Sequence, residues 1–213
     1  MDNFSVSVQR FNEFAGEYAK RFMNIDSYID SIDCFCDLKL NTTPSILELA
    51  CGPGNITRYL KKRFPKSKIV AVDLAPNMIE IARETVPGAD FMVMDVRNIL
   101  QLSQKFDMIM CSFCLPFLSF ADTSKLFTDC EAMLNPNGAF YISTMEGTES
   151  DAKFEPTSFS GNAEVFFNYY EQPELEKLFL TNNLQIKYTK RQNYQEPDGT
   201  SLTDMIFIGV KHG

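Results

Sequence analysis

Residues 45–57 read Ser45-Ile46-Leu47-Glu48-Leu49-Ala50-Cys51-Gly52-Pro53-Gly54-Asn55-Ile56-Thr57. A short apolar run meets two glycines, and a helical pattern follows them as far as Phe64. Glycines at such a turn allow backbone conformations that side chains resist, and they let a ligand approach the main chain. A Gly-x-Gly alone also suits a plain tight turn. A dinucleotide fingerprint needs a third glycine three residues after Gly54, and that position is Thr57.

Working outward, further apolar strands are expected at Lys68–Asp73, Asp90–Asp95, Phe106–Ser112 and Ala139–Met145. Helices are expected at Gly54–Phe64, Pro76–Val86 and Asp122–Leu134, the last stopped by Pro136-Asn137-Gly138. Strands separated by helices imply a parallel sheet covered on both faces. After a helix at Pro173–Asn182, strands at Leu184–Tyr194 and Thr203–Lys211 have no helix between them, only the turn Pro197-Asp198-Gly199. These two should form an antiparallel hairpin. The expectation is an α/β fold: a seven-stranded, mostly parallel, doubly wound sheet with a C-terminal antiparallel hairpin and an N-terminal helical extension.

The extension is predicted as helical over residues 8–40. Phe11, Phe14, Ala15, Tyr18 and Phe22 share one helical face, and Ile25, Ile29, Ile32, Cys36 and Leu40 continue the spacing until Asn41-Thr42-Thr43-Pro44 breaks it. Residues 1–44 are therefore assigned to a helical cover and 45–213 to the sheet domain. That domain carries a lid-like insertion over 146–172 with Phe154, Phe159, Phe166, Phe167, Tyr169 and Tyr170. A connection of that length is usually functional or disordered, and its aromatic content argues against disorder. The plainer alternative is a strand or helix packed on the sheet edge.

Composition narrows the function classes. The chain has 213 residues, 45% hydrophobic, with 19 Phe, a net charge of -8 and a pI near 4.8. An acidic surface repels phosphate backbones, so nucleic acid is not an expected partner. No apolar stretch approaches the roughly 20 residues that span a bilayer, and Met1–Arg10 has no signal-peptide pattern. The cysteines lie mostly in apolar context, which suits a reduced, cytoplasmic setting. Cys111-x-x-Cys114 reads as core packing, since the other close pair is Cys34-x-Cys36 and the single histidine, His212, is in the tail. No metal is expected. The five basic residues of Lys61–Lys68 end a helix and complement its C-terminus.

Candidate ligand groups end the strands. Asp73 closes the second strand, 19 residues after Gly54, where a carboxylate suits two ribose hydroxyls. It equally suits a cap for the Pro76 helix, and the two roles are compatible. Asp95 closes the third strand, placed either to accept from an adenine amine or to cap a loop.

Segments Ile46–Thr57, Val70–Arg83, Phe91–Val96, Phe106–Leu118 and Leu134–Ser143 resemble the ordered motifs of class I, Rossmann-like S-adenosylmethionine-dependent methyltransferases. Phe11–Tyr18 resembles the N-terminal helix of their ubiquinone/menaquinone-biosynthesis-like branch. The resemblance implies methyl transfer from S-adenosylmethionine to a small-molecule acceptor by in-line displacement. It implies that Glu48 and the backbone of Ala50, Cys51, Gly52 and Gly54 hold the methionine end, with Tyr18 covering it. Asp73 would hold the ribose. Leu74 and Met78 would pack on the adenine, with Asp95 and Val96 at its edge, and Ser112 and Phe113 would flank the sulfonium. Phe11, Phe14 and Phe117 are the candidate acceptor contacts. The motif of base-amino methyltransferases is absent, and Cys114-Leu115-Pro116-Phe117 stands nearby. No general base is obvious. Glu146 is the best-placed carboxylate, with an ordinary loop acid as the plainer reading. A non-catalytic S-adenosylmethionine-binding module and an NAD-dependent dehydrogenase stay open as alternatives, and nothing here indicates an oligomeric state.

Overall fold

The computed structural model describes residues 3–38, 42–161, 163–195 and 201–213. Leu40, Asn41 and the turn Pro197-Asp198-Gly199 lie outside the described residues. The N-terminal run is not one helix but three: α1 (Asn3–Glu13), α2 (Ala15–Phe22) and α3 (Ile29–Asp37). The chain kinks at Phe14 (φ -106°, ψ 24°). It breaks again where the Asn24 side chain accepts from the Asp26 N–H at 2.8 Å. Such an Asx turn offers the backbone an alternative to the helix. The apolar spacing continues across the break because α3 buries its own stripe, Ile32, Phe35 and Cys36.

The sheet domain follows as β1 (Ile46–Leu49), α4 (Asn55–Arg63), β2 (Ile69–Asp73), α5 (Pro76–Thr85) and β3 (Asp90–Val93). A series of 3-10 turns, Val96–Leu102, then leads to β4 (Phe106–Ser112), α6 (Phe120–Met133) and β5 (Leu134–Met145). Next come β6 (Lys153–Pro156), β7 (Glu164–Phe167), α7 (Gln172–Thr181), β8 (Leu184–Gln195) and β9 (Ser201–Lys211). The main sheet has seven strands in the order β3-β2-β1-β4-β5-β9-β8. Pairings among β1 to β5 are parallel, and β9 runs antiparallel to both β5 and β8. The architecture matches the expectation.

Alternation along the strands divides the core between two faces. Leu47, Leu49, Ile109, Phe140 and Phe207 pack with Phe127 of α6 and Phe179 of α7. Ile46, Met108, Met110, Tyr141 and Ile206 pack with Phe35 of α3 and Leu60 of α4. One boundary departs from expectation. β5 begins at Leu134, and the Pro136-Asn137-Gly138 turn, with Asn137 at φ 59°, is absorbed where the pairing shifts between Phe106 and Met108.

Within the aromatic insertion, β6 and β7 form a separate antiparallel hairpin and do not join the main sheet. Ser7 of α1 bonds both main-chain groups of Phe166. Asn168 donates to Pro116 O and Leu118 O, and Tyr170 Oη bonds Leu115 O, Leu118 O and Thr123. Among the described residues, no helix is long and apolar enough to cross a membrane. Strand order reverses between β1 and β4, and in open α/β sheets ligands bind at the carboxyl ends of the strands at such a switch.

Candidate functional site

The turn after β1 is held in the left-handed region at three places: Ala50 (φ 52°), Gly52 (φ 53°) and Gly54 (φ 85°). For Ala50 this conformation costs about 1–2 kcal/mol, a local strain that the surrounding bonds sustain. A Cβ on Gly54 would lie 3.3 Å from Val86 Cγ2 and 3.4 Å from Ala82 Cα, so the turn presses directly on α5.

Asp73 ties this turn to the next one. Its Oδ2 accepts the Gly52 N–H and its Oδ1 accepts the Ala75 N–H, each at 2.9 Å. The Ala75 bond closes a turn just before the Pro76 helix and is not a cap on its first-turn N–H groups. The carboxylate organises two turns, and its four lone-pair positions still leave acceptor capacity. Burial raises its pKa against the pull of these backbone donors. Glu48, only 2% exposed, accepts the Thr57 hydroxyl at 2.6 Å. Burial pushes the Glu48 carboxyl up to about 8, with the Thr57 bond opposing. Thr57, which spoiled the dinucleotide pattern, thus has a role of its own. The two polar residues nine apart around the glycines are the signal that could have paired them.

Tyr18 stands over the turn. Its Cε1 is 3.7 Å from where a Gly52 Cβ would be. Burial, and then the charge of Asp73, push its phenol up to about 12.

The third strand is arranged differently from expectation. Asp95 accepts the Arg97 N–H, and the Arg97 guanidinium grips both its oxygens, with Nη2 at 2.6 Å and Nε at 3.0 Å. An adenine amine would share this carboxylate with the Arg97 guanidinium, which takes most of its acceptor positions. The capping alternative is the one seen. Arg97 also lies 3.9 Å over the Phe4 ring, which fastens α1 to this edge. Met78 is likewise shifted from expectation. It is buried beneath α2 against Ala15, beside Phe11 and Tyr18. Leu74 remains half-buried. With Phe4, Val8, Asn12, Pro76 and Arg97 it lines a cleft of about 380 Å³. Val96 is buried in the core just below the strand end.

At the end of β4, Phe113 adopts φ 50° and donates its N–H to Ser143, to O at 2.9 Å and Oγ at 3.2 Å. Ser112 Oγ meets Ser143 Oγ at 2.9 Å. The Phe113 ring packs edge-on to Tyr28, whose hydroxyl donates to the buried Asp204 at 2.6 Å. This last pair was not found from sequence, since 176 residues separate its members.

Of the expected acceptor residues, Phe11 and Phe117 come together, with ring centroids 4.8 Å apart. Phe14 sits at the kink and takes no part in the aromatic contacts among the described residues. Phe159 of the insertion and Phe22 join the group instead. Glu146 does lie at the end of β5, but the Arg191 guanidinium engages its Oε2 at 2.5 and 3.0 Å. A carboxylate committed to that ion pair is a weak choice for proton abstraction. Cys51, Cys111 and Cys114 are buried, whereas Cys34 is exposed.

Residues 46–138 match the family model described as a methyltransferase domain. They contain the glycine turn, Asp73, Asp95 and the end of β4. The chain is 32% identical over 112 residues to trans-aconitate 2-methyltransferase of Escherichia coli (strain K12 / DH10B), covering 53% of this chain and 43% of that protein. It is 29% identical over 115 residues to putative methyltransferase 235L of Invertebrate iridescent virus 6, covering 54% and 42%. The chain thus aligns with less than half the length of these curated relatives. Among solved structures, magnesium protoporphyrin IX methyltransferase of Synechocystis PCC 6803 with bound SAM superposes at a TM-score of 0.72 with 15% identity, covering 99% of this chain and 98% of that one. An S-adenosylmethionine-dependent methyltransferase of Clostridium acetobutylicum ATCC 824 gives 0.70 with 20% identity, covering 95% and 99%. The chain has the Rossmann-like methyltransferase fold.

Proposed function

We propose that the chain transfers a methyl group from S-adenosylmethionine to a small-molecule acceptor. The observation that carries this is Asp73, which holds the Gly52 and Ala75 N–H groups at the ends of two neighbouring parallel strands and keeps acceptor capacity for a diol. The match of residues 46–138 to a methyltransferase domain supports the reading. So does the likeness to a structure that holds SAM.

The bound cofactor supplies an activated sulfonium methyl. The chain supplies position. Glu48 and the Ala50–Gly54 backbone would hold the methionine end under Tyr18, and Asp73 would hold the ribose. Leu74 would lie along the adenine with Val96 at its edge. Asp95 would act there only through Arg97. Ser112 and Phe113 would flank the reacting centre. Such orientation can supply roughly 7–11 kcal/mol of a barrier without any acid or base. The segments 1–44 and 146–172 are read as the cover that keeps water out. The Phe11–Tyr18 helix supports placing the chain near the ubiquinone/menaquinone-like branch. The named small-molecule substrate of the Escherichia coli relative supports an acceptor of that size. A net charge of -8 disfavours nucleic acid, and six free cysteines favour the cytoplasm.

Titration calorimetry with S-adenosylhomocysteine and with NAD tests the cofactor. Labelled-methyl transfer into a metabolite extract separates an enzyme from a binding module. NAD binding with no S-adenosylhomocysteine binding would overturn the proposal.

A further inference from the structure

We propose that the acceptor is a flat, uncharged aromatic molecule that enters among the rings above the glycine turn, and not a carboxylate. This rests on the methyl-transfer reading above and names its second substrate. Four separate chain segments contribute one continuous aromatic group. Phe11 is its hub: its ring stacks on Phe159 at 5.2 Å and 26°, and meets Phe117 and Tyr18 edge-on at 4.8 and 5.7 Å. Tyr18 reaches Phe22 at 4.6 Å and Phe159 at 5.1 Å, and Phe117 reaches Phe167 at 5.5 Å. Apart from Phe159, these rings are half-buried, so their faces are partly open. The group stands on the reacting edge, because Tyr18 overlies Gly52 and Phe117 follows β4 by a few residues. Offset and edge-on ring pairs are worth about 0.5–1.5 kcal/mol each, and a flat aromatic ligand can make the same contacts with the open faces.

Charge decides against an anionic acceptor. Among the described residues no lysine or arginine is buried, whereas Glu48, Asp129 and Asp204 are. On the ring-bearing elements, Arg10 is paired with Glu13 and Lys153 with Glu155, Lys20 is exposed, and Arg21, also exposed, lies 5.8 Å over the outer ring of the group, Phe22, where water screens it. A polycarboxylate entering here would lose its hydration and find no buried cation to replace it. It would also approach the Asp73 carboxylate, whose charge already acts on Tyr18. An uncharged ring incurs neither penalty.

The test uses the full chain and two probes, 2-naphthol and trans-aconitate, titrated by calorimetry into the chain alone and into its S-adenosylhomocysteine complex. The expected result is that 2-naphthol binds at least tenfold more tightly than trans-aconitate. Phe117→Ala and, separately, the milder Phe11→Leu should each weaken 2-naphthol about tenfold while S-adenosylhomocysteine affinity stays within twofold. Thermal melts confirm that each variant is folded. Trans-aconitate binding as tightly as 2-naphthol, or 2-naphthol binding unchanged in both variants, would overturn the proposal. Failure of S-adenosylhomocysteine to bind would instead strike the methyl-transfer reading, because the naphthol comparison on the free chain stands without it.

Discussion

Replacing Glu48 by Gln should change how stability depends on pH, and the structure sets both sign and size. An ordinary glutamate sits at 4.5, and burial pushes Glu48 to about 8. Between those values the folded chain holds a proton that the unfolded chain has lost. Raising the pH therefore favours unfolding by about 1.4 kcal/mol per pH unit, accumulating to about 5 kcal/mol by pH 8. The contribution is fully present below pH 4.5 and lost as the pH passes about 8. Glutamine cannot ionise, and its amide oxygen can still accept the Thr57 hydroxyl, so Glu48→Gln removes the titration while keeping the bond. The assay is urea unfolding of parent and variant from pH 5 to 9 without ligand. The variant should gain on the parent steadily as the pH rises. S-adenosylhomocysteine should narrow the gap if its ammonium binds beside Glu48 as proposed, because a neighbouring cation favours the charged carboxylate. A gap that stays constant across the range would show that Glu48 is not held in a desolvated site, and the reasoning would fail.

Asp73→Ala leaves the Gly52 and Ala75 N–H groups without their acceptor, so stability should fall by about 2–4 kcal/mol and S-adenosylhomocysteine binding should vanish in calorimetry. Asp95→Ala should weaken binding less, because Arg97 already occupies that carboxylate; equal losses in the two variants would contradict the assignment. Gly209→Ala places a Cβ 2.6 Å from Phe179 Cε1, on β9, which β4 and β5 separate from β1 and its glycine turn, and should cost about 1–3 kcal/mol in urea unfolding with cofactor affinity unchanged. In hydrogen exchange, α1, α2 and residues 146–172 should be weakly protected in the free chain and gain protection with S-adenosylhomocysteine; high protection in both states would rule out a movable cover.

The strand and helix order was legible because it depends on local periodicity. Ile46, Leu47 and Leu49 are apolar for burial on two faces, and the absence of a helix between β8 and β9 announced an antiparallel pair. The glycine turn and Asp73 were legible for a related reason, since each sits at a fixed place on its strand. What local pattern did not show has a different cause. Asp95 was read alone, yet Arg97 two residues on decides what it can accept. Met78 was placed by its helix position, but whether it faces a ligand depends on α2, which arrives from sixty residues away in sequence. Tyr28 with Asp204, and Phe22 with Phe159, meet only after folding. Nothing in the periodicity of either segment encodes the other.

The N-terminal helices differ from the sheet in what holds them. In α1 the buried residue is Ser7, and in α2 it is Ala15, so neither helix drives a large side chain fully into the core. Their attachments are polar bonds and partly open rings: Ser7 on Phe166, Asn12 on Asn77, Phe4 on Arg97, Tyr18 over Gly52. Each such contact is worth about 0.5–1.5 kcal/mol, and most face water. β1, by contrast, is buried at every residue and flanked on both sides by parallel partners. Opening free energies follow that contrast, so α1 and α2 should part from the sheet well before it unfolds. Parting there uncovers Asp73 and Gly52 and separates Phe11, Tyr18 and Phe22 from Phe117 and Phe159. One local opening would thus admit both substrates, and one closure would bring them into contact without water.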